Sequence, residues 1–177
     1  MNILAIGDVV GLAGTEYLAS HLPAIKKMYG VDITIANGEN SAEGNGISPH
    51  SAERLFNLGV DIITTGNHVF RRKEIPDYLD RTPNIIRPAN YPKGAPGTGV
   101  LLFDMGRYQL CVINLMGCVF MDALDNPFTV VDQILQEITT PFIVVDFHAE
   151  ATSEKIALAH YLDGRVSALF GTHTHVQ

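Results

Sequence analysis

The sequence is poor in cysteine, in basic residues and in long apolar runs. Its two cysteines, Cys111 and Cys118, form neither a CxxC pair nor a multi-cysteine framework, which argues against a secreted, disulfide-rich scaffold. Twelve basic residues stand against nineteen acidic ones, and the net charge of -7 disfavours a broad surface for extended nucleic acid.

The most apolar window, 110–121, is shorter than the roughly 20 residues that span a bilayer. The first residues contain neither the basic segment nor the long apolar run that is typical of a signal peptide. We therefore expect a cytoplasmic protein without a membrane partner.

Short β-branched runs alternate with longer amphipathic segments along the whole chain. Hydrophobic residues make up 46% of the 177 positions and charged residues 18%, which predicts a single domain, 1–177, with a substantial core. The alternation is typical of an α/β fold with helices covering a sheet, and the runs around Gly106 predict a hairpin. The predicted strands are 2–6, 32–36, 61–65, 100–104, 108–115, 142–147 and 166–170, and the predicted helices are 15–28, 48–59, 73–79, 130–138 and 153–162.

Polar residues follow five of the predicted strands, and in four of these places a glycine precedes them. Parallel strands deliver the loops at their carboxyl ends to the same edge of a sheet, so segments far apart in sequence should converge there on one crevice. The glycines predict tight turns that let side chains crowd around a small ligand. The five motifs are Gly7-Asp8, Gly38-Glu39-Asn40, Gly66-Asn67-His68, Phe147-His148 and Gly171-Thr172-His173-Thr174-His175.

The residue types in these motifs point to metal chemistry. Carboxylate, amide and imidazole donors together suit manganese, iron or zinc better than calcium or magnesium. Each motif alone also has a structural explanation as a helix cap, a turn or a strand pair. Burying all of them at one edge without a cation, however, would leave costly unpaired polar groups. There are more candidate ligands than one tetrahedral ion can bind. Their number suits two ions that share a carboxylate, the arrangement used in phosphoryl chemistry.

Taken in order, the five motifs resemble those of the calcineurin-like metallophosphoesterases. The segments NILAIGDVVG, IANGENSAEGNGI and ITTGNHVF resemble, more narrowly, the YmdB-like branch of bacterial phosphodiesterases. The wider superfamily has a histidine where this chain has Val10, and Gly-Asp where it has Glu39 and Asn40. The YmdB-like branch is similar to this sequence at both points, so we interpret the Glu39-Asn40 pair as the replacement for the missing histidine.

This resemblance implies a fold and a set of residue roles. The fold is a metallophosphoesterase-like α-β-β-α sandwich. Because that family extends beyond an HTHVQ segment with further strands, we expect this chain to be a C-terminal truncation that lacks the last strands. The implied general acid is His68, which protonates the leaving oxygen, and Glu39 bridges two ions, expected to be iron or manganese, with zinc as an alternative. The implied ligands are Asp8, Glu39, Asn40 and His175 for one ion and Glu39, Asn67, His148 and His173 for the other.

The function that the resemblance implies is hydrolysis of small phosphodiesters, such as 2',3'- or 3',5'-cyclic nucleotides. The alternative is a non-catalytic regulatory protein of the same fold that binds a metal or nucleotide without turning it over. A nucleotide-binding module of the Rossmann type is disfavoured, because Gly7, Gly11 and Gly14 do not have the GxGxxG spacing. The family also makes a homo-oligomer plausible.

Two carboxylates flank the histidine of the fourth motif. Asp146 and Glu150 could orient His148, but the sequence favours their interpretation as solvated or helix-capping groups.

Overall fold

Two four-stranded β-sheets lie at the centre of the computed structural model, which describes residues 1–176. The strands of the first sheet pair in chain order and are all parallel. In the second sheet the first pair is antiparallel, as the predicted hairpin requires, and the other two pairs are parallel. The first sheet consists of β1 (Ile3–Ile6), β2 (Ile33–Asn37), β3 (Ile62–Thr64) and β4 (Ile85–Ile86), and the second of β5 (Val100–Asp104), β6 (Gln109–Met116), β7 (Phe142–Ala149) and β8 (Ala168–His173).

Five helices connect these strands within the described residues, and none of the five is long and apolar enough to cross a bilayer. Their positions agree with the sequence prediction, although the first begins at Gly11 and not at Thr15. They are α1 (Gly11–Tyr29), α2 (Pro49–Asn57), α3 (Ile75–Arg81), α4 (Pro127–Glu137) and α5 (Thr152–Leu162).

The helices cover the outer face of each sheet. Leu22 of α1 and Leu55 of α2 pack with Ile63 of β3 in one buried cluster. On the other side, Val131 of α4 and Leu158 of α5 join a second cluster with the strands of the second sheet. A third cluster fills the space between the two sheets. The order of layers is therefore helix, sheet, sheet, helix, and the predicted α-β-β-α sandwich is confirmed.

The ends of the helices follow local chemistry. The hydroxyl oxygen of Ser48 accepts a hydrogen bond from the Ser51 amide, and the Ser51 hydroxyl accepts one from the Ser48 amide. This is a capping box, and Pro49 occupies the first turn beside it, as the sequence predicts. α1 ends at Gly30, which adopts a left-handed conformation with φ 58°. A glycine in this conformation is a common way for a helix to stop.

Two features of the strands differ from the prediction. The short β4 lies inside a segment interpreted as a proline-rich connection, because two residues give too short a pattern to detect. β7 and β8 also run further than predicted, so that His148 and His173 lie on strands and not after them.

The layer between the sheets changes from apolar to polar along the strands. Alternate residues of a strand face the same side. On β2, the inward positions are Ile33, Ile35 and then Asn37, and on β7 Val144 is followed by Asp146. A polar end of the layer thus forms where the parallel strands finish. The buried polar residues there are Asn37, Thr64, Asn114, Asp146, His148 and Thr172.

Candidate metal centre

Four of the implied ligands form a tight group of nitrogen and oxygen donors, which we call the donor cluster: Glu39, Asn67, His148 and His173. Nε2 of His148 is its centre, 3.3 Å from Glu39 Oε1, 3.0 Å from Asn67 Oδ1 and 3.1 Å from His173 Nδ1. With metal–ligand bonds of about 2.1 Å, two ligand atoms at a right angle lie about 3 Å apart. The spacing therefore suits a single cation. Glu39, His148 and His173 each offer a donor atom within 4.8 Å of the others.

Asp8 and His175 form a second pair at the edge of the donor cluster. The His173 amide donates to Asp8 Oδ1 over 2.9 Å, while Oδ2 lies 3.3 Å from His175 Nε2. The Asp8 side chain is 2% exposed, and among the described residues its Oδ2 has no hydrogen-bond partner. A buried, unpaired carboxylate oxygen is rare in folded proteins, and a cation would satisfy it. A cleft of about 370 Å³ opens on this side, lined in part by Asp8, Thr174 and His175.

Asn40 and His68 also contact Glu39. The Asn40 amide nitrogen donates to Glu39 Oε1 over 2.9 Å, and its amide oxygen lies 2.9 Å from His68 Nδ1. The backbone amide of His68 donates to Glu39 Oε2 over 3.0 Å. Glu39 therefore contacts His148 of the donor cluster as well as Asn40 and His68. The amide oxygen of Asn40, its possible ligand atom, is engaged by the His68 imidazole.

A buried network behind the donor cluster holds His148. Asp146 Oδ2 accepts hydrogen bonds from the Thr64 hydroxyl and the Asn37 amide, and Asp146 Oδ1 accepts one from the Thr172 hydroxyl over 2.7 Å. Because that hydroxyl donates its proton to Asp146, its oxygen accepts from His148 Nδ1, 2.9 Å away. The proton of the neutral imidazole is thereby kept on Nδ1. With a cation bound, Nε2 would carry no proton and could present its lone pair to the metal, the tautomer that a metal ligand needs.

The sequence-based interpretation of Asp146 as a solvated or helix-capping carboxylate is wrong. Asp146 is fully buried and belongs to the network that positions His148. The signal was available, because residues 146 and 148 share a face of β7, but the predicted strand ended at 147. Glu150 is half-exposed, and its Oε2 lies 2.9 Å from His173 Nε2. It therefore contacts an implied ligand from the solvent side.

Gly66 allows the third motif to approach the donor cluster. A Cβ atom at this position would lie within 2.5 Å of the His148 ring. Only glycine lets the backbone pass that close to the imidazole. The next residue, Asn67, can then reach His148 Nε2 with its amide oxygen.

The electrostatics of the site are those of paired buried charges. Burial alone would raise the pKa of Glu39, but the hydrogen bond and charge of His148 and the amide of His68 together hold it below the ordinary value. Burial likewise acts to lower the pKa of His148, while Glu39 raises it above the ordinary value. Burial raises the pKa of Asp146 to about 6, against hydrogen bonds and the charge of His148. A cation would compete with the proton for His148 Nε2.

Backbone strain marks the last motif. His173 has φ 93° and His175 has φ 55°, in a region that residues with a Cβ rarely adopt. Strain of this kind is often found at functional sites. Here it directs two imidazoles from a single short segment toward His148 and Asp8.

The structure thus brings the sequence-predicted residues to one end of the sandwich, and the donor set fits divalent metal ions. The residues that sequence reasoning missed are the buried partners of His148, among them Asp146, Thr172 and Asn37.

The chain is similar to known proteins over nearly its whole length. Residues 4–177 match the family model described as YmdB-like protein. The chain is 49% identical to the 2',3'-cyclic-nucleotide 2'-phosphodiesterase of Bacillus subtilis (strain 168), covering 100% of this chain and 68% of that protein.

Two solved structures are also similar. A hypothetical protein from Thermus thermophilus superposes with a TM-score of 0.94 at 46% identity, covering 99% of this chain and 69% of that one. A novel phosphatase from Mycoplasma pneumoniae gives a TM-score of 0.93 at 34% identity, covering 98% of this chain and 64% of that one. The chain therefore spans about two thirds of the length of these relatives.

Proposed function

Since the chain belongs to the YmdB-like protein family, we propose that it is a two-metal phosphodiesterase that hydrolyses small phosphodiesters, with 2',3'-cyclic nucleotides as the first candidates. The observation that carries the proposal is the placement of donor atoms of Glu39, Asn67 and His173 at 3.3, 3.0 and 3.1 Å from His148 Nε2. The name of the Bacillus subtilis relative supports the substrate class.

Two sets of residues would hold the ions. The donor cluster would bind one, and Asp8, Glu39, Asn40 and His175 the other, with Glu39 shared. The second position is supported by Asp8 Oδ2, which is buried and has no hydrogen-bond partner within residues 1–176. Iron and manganese fit the mixture of carboxylate, amide and imidazole donors best. When bound, the two ions supply positive charge that polarises the phosphodiester and activates a water molecule for in-line attack.

His68 is proposed to move the proton. Its Nδ1 lies 2.9 Å from Asn40 Oδ1, which orients the ring, and within residues 1–176 its Nε2 makes no hydrogen bond that would compete with a substrate. Its side chain is 23% exposed, so it can meet a substrate that enters from solvent. An imidazolium there would donate a proton from Nε2 to the leaving oxygen, and the water-derived proton would restore it in the next cycle.

The supporting network fixes the geometry before substrate arrives. The hydrogen-bonded series from Asp146 through Thr172 to His148 holds one imidazole in a single orientation and keeps a proton on its Nδ1. Such preorganisation is what allows charge to be stabilised in the transition state without rearrangement of the protein.

The test is hydrolysis of 2',3'-cyclic AMP, 3',5'-cyclic AMP and bis-p-nitrophenyl phosphate by the purified chain, with added manganese and with a chelator. We expect manganese-supported turnover that the chelator abolishes, with adenosine 3'-monophosphate as the product of the 2',3'-cyclic substrate. Bound metal without turnover of any substrate would overturn the proposal and favour a regulatory, non-catalytic protein of the same fold.

A further inference from the structure

Phe120 combines two features that are unfavourable in a soluble domain. It lies in the turn Cys118–Met121 directly after β6, where the Met121 amide donates to the Cys118 carbonyl over 3.4 Å. Its side chain is 89% exposed, and its backbone has φ 63°. At this third position of the turn a positive φ normally selects glycine or asparagine, and a bulky aromatic residue there is an outlier.

The turn is held firmly in spite of this strain. One carboxylate oxygen of Glu154 accepts from the Cys118 amide over 2.9 Å, and the other accepts from the Val119 amide over 3.3 Å. A Cβ on Gly117 would collide with this carboxylate and lie 2.7 Å from Ala149 Cβ. The segment before Phe120 is therefore packed against α5 and β7, and the aromatic ring is presented to solvent by a fixed support.

This turn borders the metal centre. The Gly117 amide donates to the carbonyl of His148 over 2.9 Å. The Glu150 amide donates to the sulfur of Met121 over 3.3 Å, and Glu150 Oε2 lies 2.9 Å from His173 Nε2. Within residues 1–176, the other non-glycine residues with positive φ are His173 and His175. The strain at Phe120 thus belongs to the same end of the sandwich as the candidate ligands.

We propose that Phe120 is a platform on which the base of a nucleotide substrate stacks while its phosphodiester lies at the metal centre. This inference rests on the proposed function. An exposed, uncharged ring in a turn beside the metal centre can stack on the flat face of a purine or pyrimidine. Stacking of this kind accepts any base. Val119, which is 42% exposed, extends the apolar surface beside the ring.

The test compares two substrates that differ only in the base. They are 2',3'-cyclic AMP and 1-O-methylribose 2',3'-cyclic phosphate, assayed with the manganese-loaded chain. For Phe120→Ala we expect kcat/KM for the nucleotide to fall about ten-fold, chiefly through KM. The same variant should hydrolyse the base-free substrate at the wild-type rate. Titration calorimetry with adenosine 3'-monophosphate should show a matching loss of affinity.

Two further variants separate stacking from folding. Phe120→Tyr keeps the ring and should retain the wild-type kcat/KM for the nucleotide. Phe120→Gly removes the ring and relieves the strained backbone, so it should lose nucleotide affinity like Phe120→Ala while its melting temperature rises.

Three results would overturn the platform. One is an equal fall for both substrates, which would mean that the turn supports the metal centre. Another is unchanged kinetics and unchanged calorimetry in Phe120→Ala. The third is a change of molecular mass by light scattering on that substitution, which would assign the ring to an interface between copies. If the wild-type chain hydrolyses neither substrate, the proposed function fails, and calorimetry still decides whether Phe120 binds the nucleotide.

Discussion

His68 contacts Glu39 and Asn40 but is not one of the donors grouped around His148 Nε2. For His68→Ala we expect kcat to fall by about 10²–10⁴-fold, because the proposed general acid is removed, while the metal content stays unchanged. Elemental analysis alongside steady-state kinetics checks both parts. The matched control is His160→Ala, an exposed histidine in α5, which should alter neither. Loss of metal in His68→Ala would identify it as a ligand and refute its role as the acid.

Gly66 shows how a single missing side chain shapes the site. The Cβ of Gly66→Ala would meet the His148 ring, so the ring or the loop must shift. We expect the free energy of unfolding to fall by about 1–3 kcal/mol, as for other overpacked positions, and metal affinity to fall with it. Urea denaturation measures the first effect. Gly7→Ala is the control for stability, because a Cβ there meets nothing within 4 Å, and an equal loss in both variants would contradict the steric explanation.

The two cysteines should differ in reactivity. Cys111 is fully buried, and burial raises its pKa to about 11, whereas Cys118 is partly exposed. In the native protein at pH 8, iodoacetamide should label Cys118 well before Cys111. Because the folded pKa is raised, the stabilisation from the neutral Cys111 thiol is present below about pH 9 and is lost as the pH rises toward about 11. Peptide mass spectrometry reads the labelling, and equal rates for the two thiols would contradict this assignment.

At the scale of elements, the capping box of α2 offers a test of what starts a helix. Ser48→Ala removes the hydroxyl that accepts from the Ser51 amide, and we expect the free energy of unfolding to fall by about 1 kcal/mol. Ser20→Ala on α1 is the matched control. Its hydroxyl donates to the Glu16 carbonyl within the helix and caps no helix end, so its loss should cost little. Urea denaturation compares them, and equal effects would mean that the cap does not stabilise α2.

The elements also show what the sequence can and cannot reveal. The helices, the hairpin and the strand-end motifs were predictable, because hydrophobic period, turn residues and helix caps are local properties. The division of the strands into two sheets came from the family resemblance, since strand pairing depends on contacts between distant segments. The two-residue β4 and the last residues of β7 were missed for lack of local pattern. Because the predicted strand stopped before His148, the shared face of Asp146 and His148 was also missed. The partners of Asp146, Thr64 and Thr172, lie far away in sequence.

At the scale of the whole molecule, the candidate site depends on both sheets at once. Glu39 and Asn67 follow strands of the first sheet, whereas His148 and His173 lie in the second. The apolar layer between the sheets, which includes Ile35 and Val112, holds these halves in register. A cation bound by donors from both halves would stabilise the folded state over the unfolded chain, so loading with manganese should raise the melting temperature.

The measurement that tests the proposed two-metal centre most directly is the number of metal ions per chain. Elemental analysis after dialysis against excess manganese and removal of free metal should give about two ions in the wild-type chain. In Asn67→Ala we expect about one ion, because one donor of the donor cluster is removed. A wild-type content of one ion or none, or two ions with full retention in Asn67→Ala, would contradict the arrangement proposed for Glu39, His148 and their neighbours.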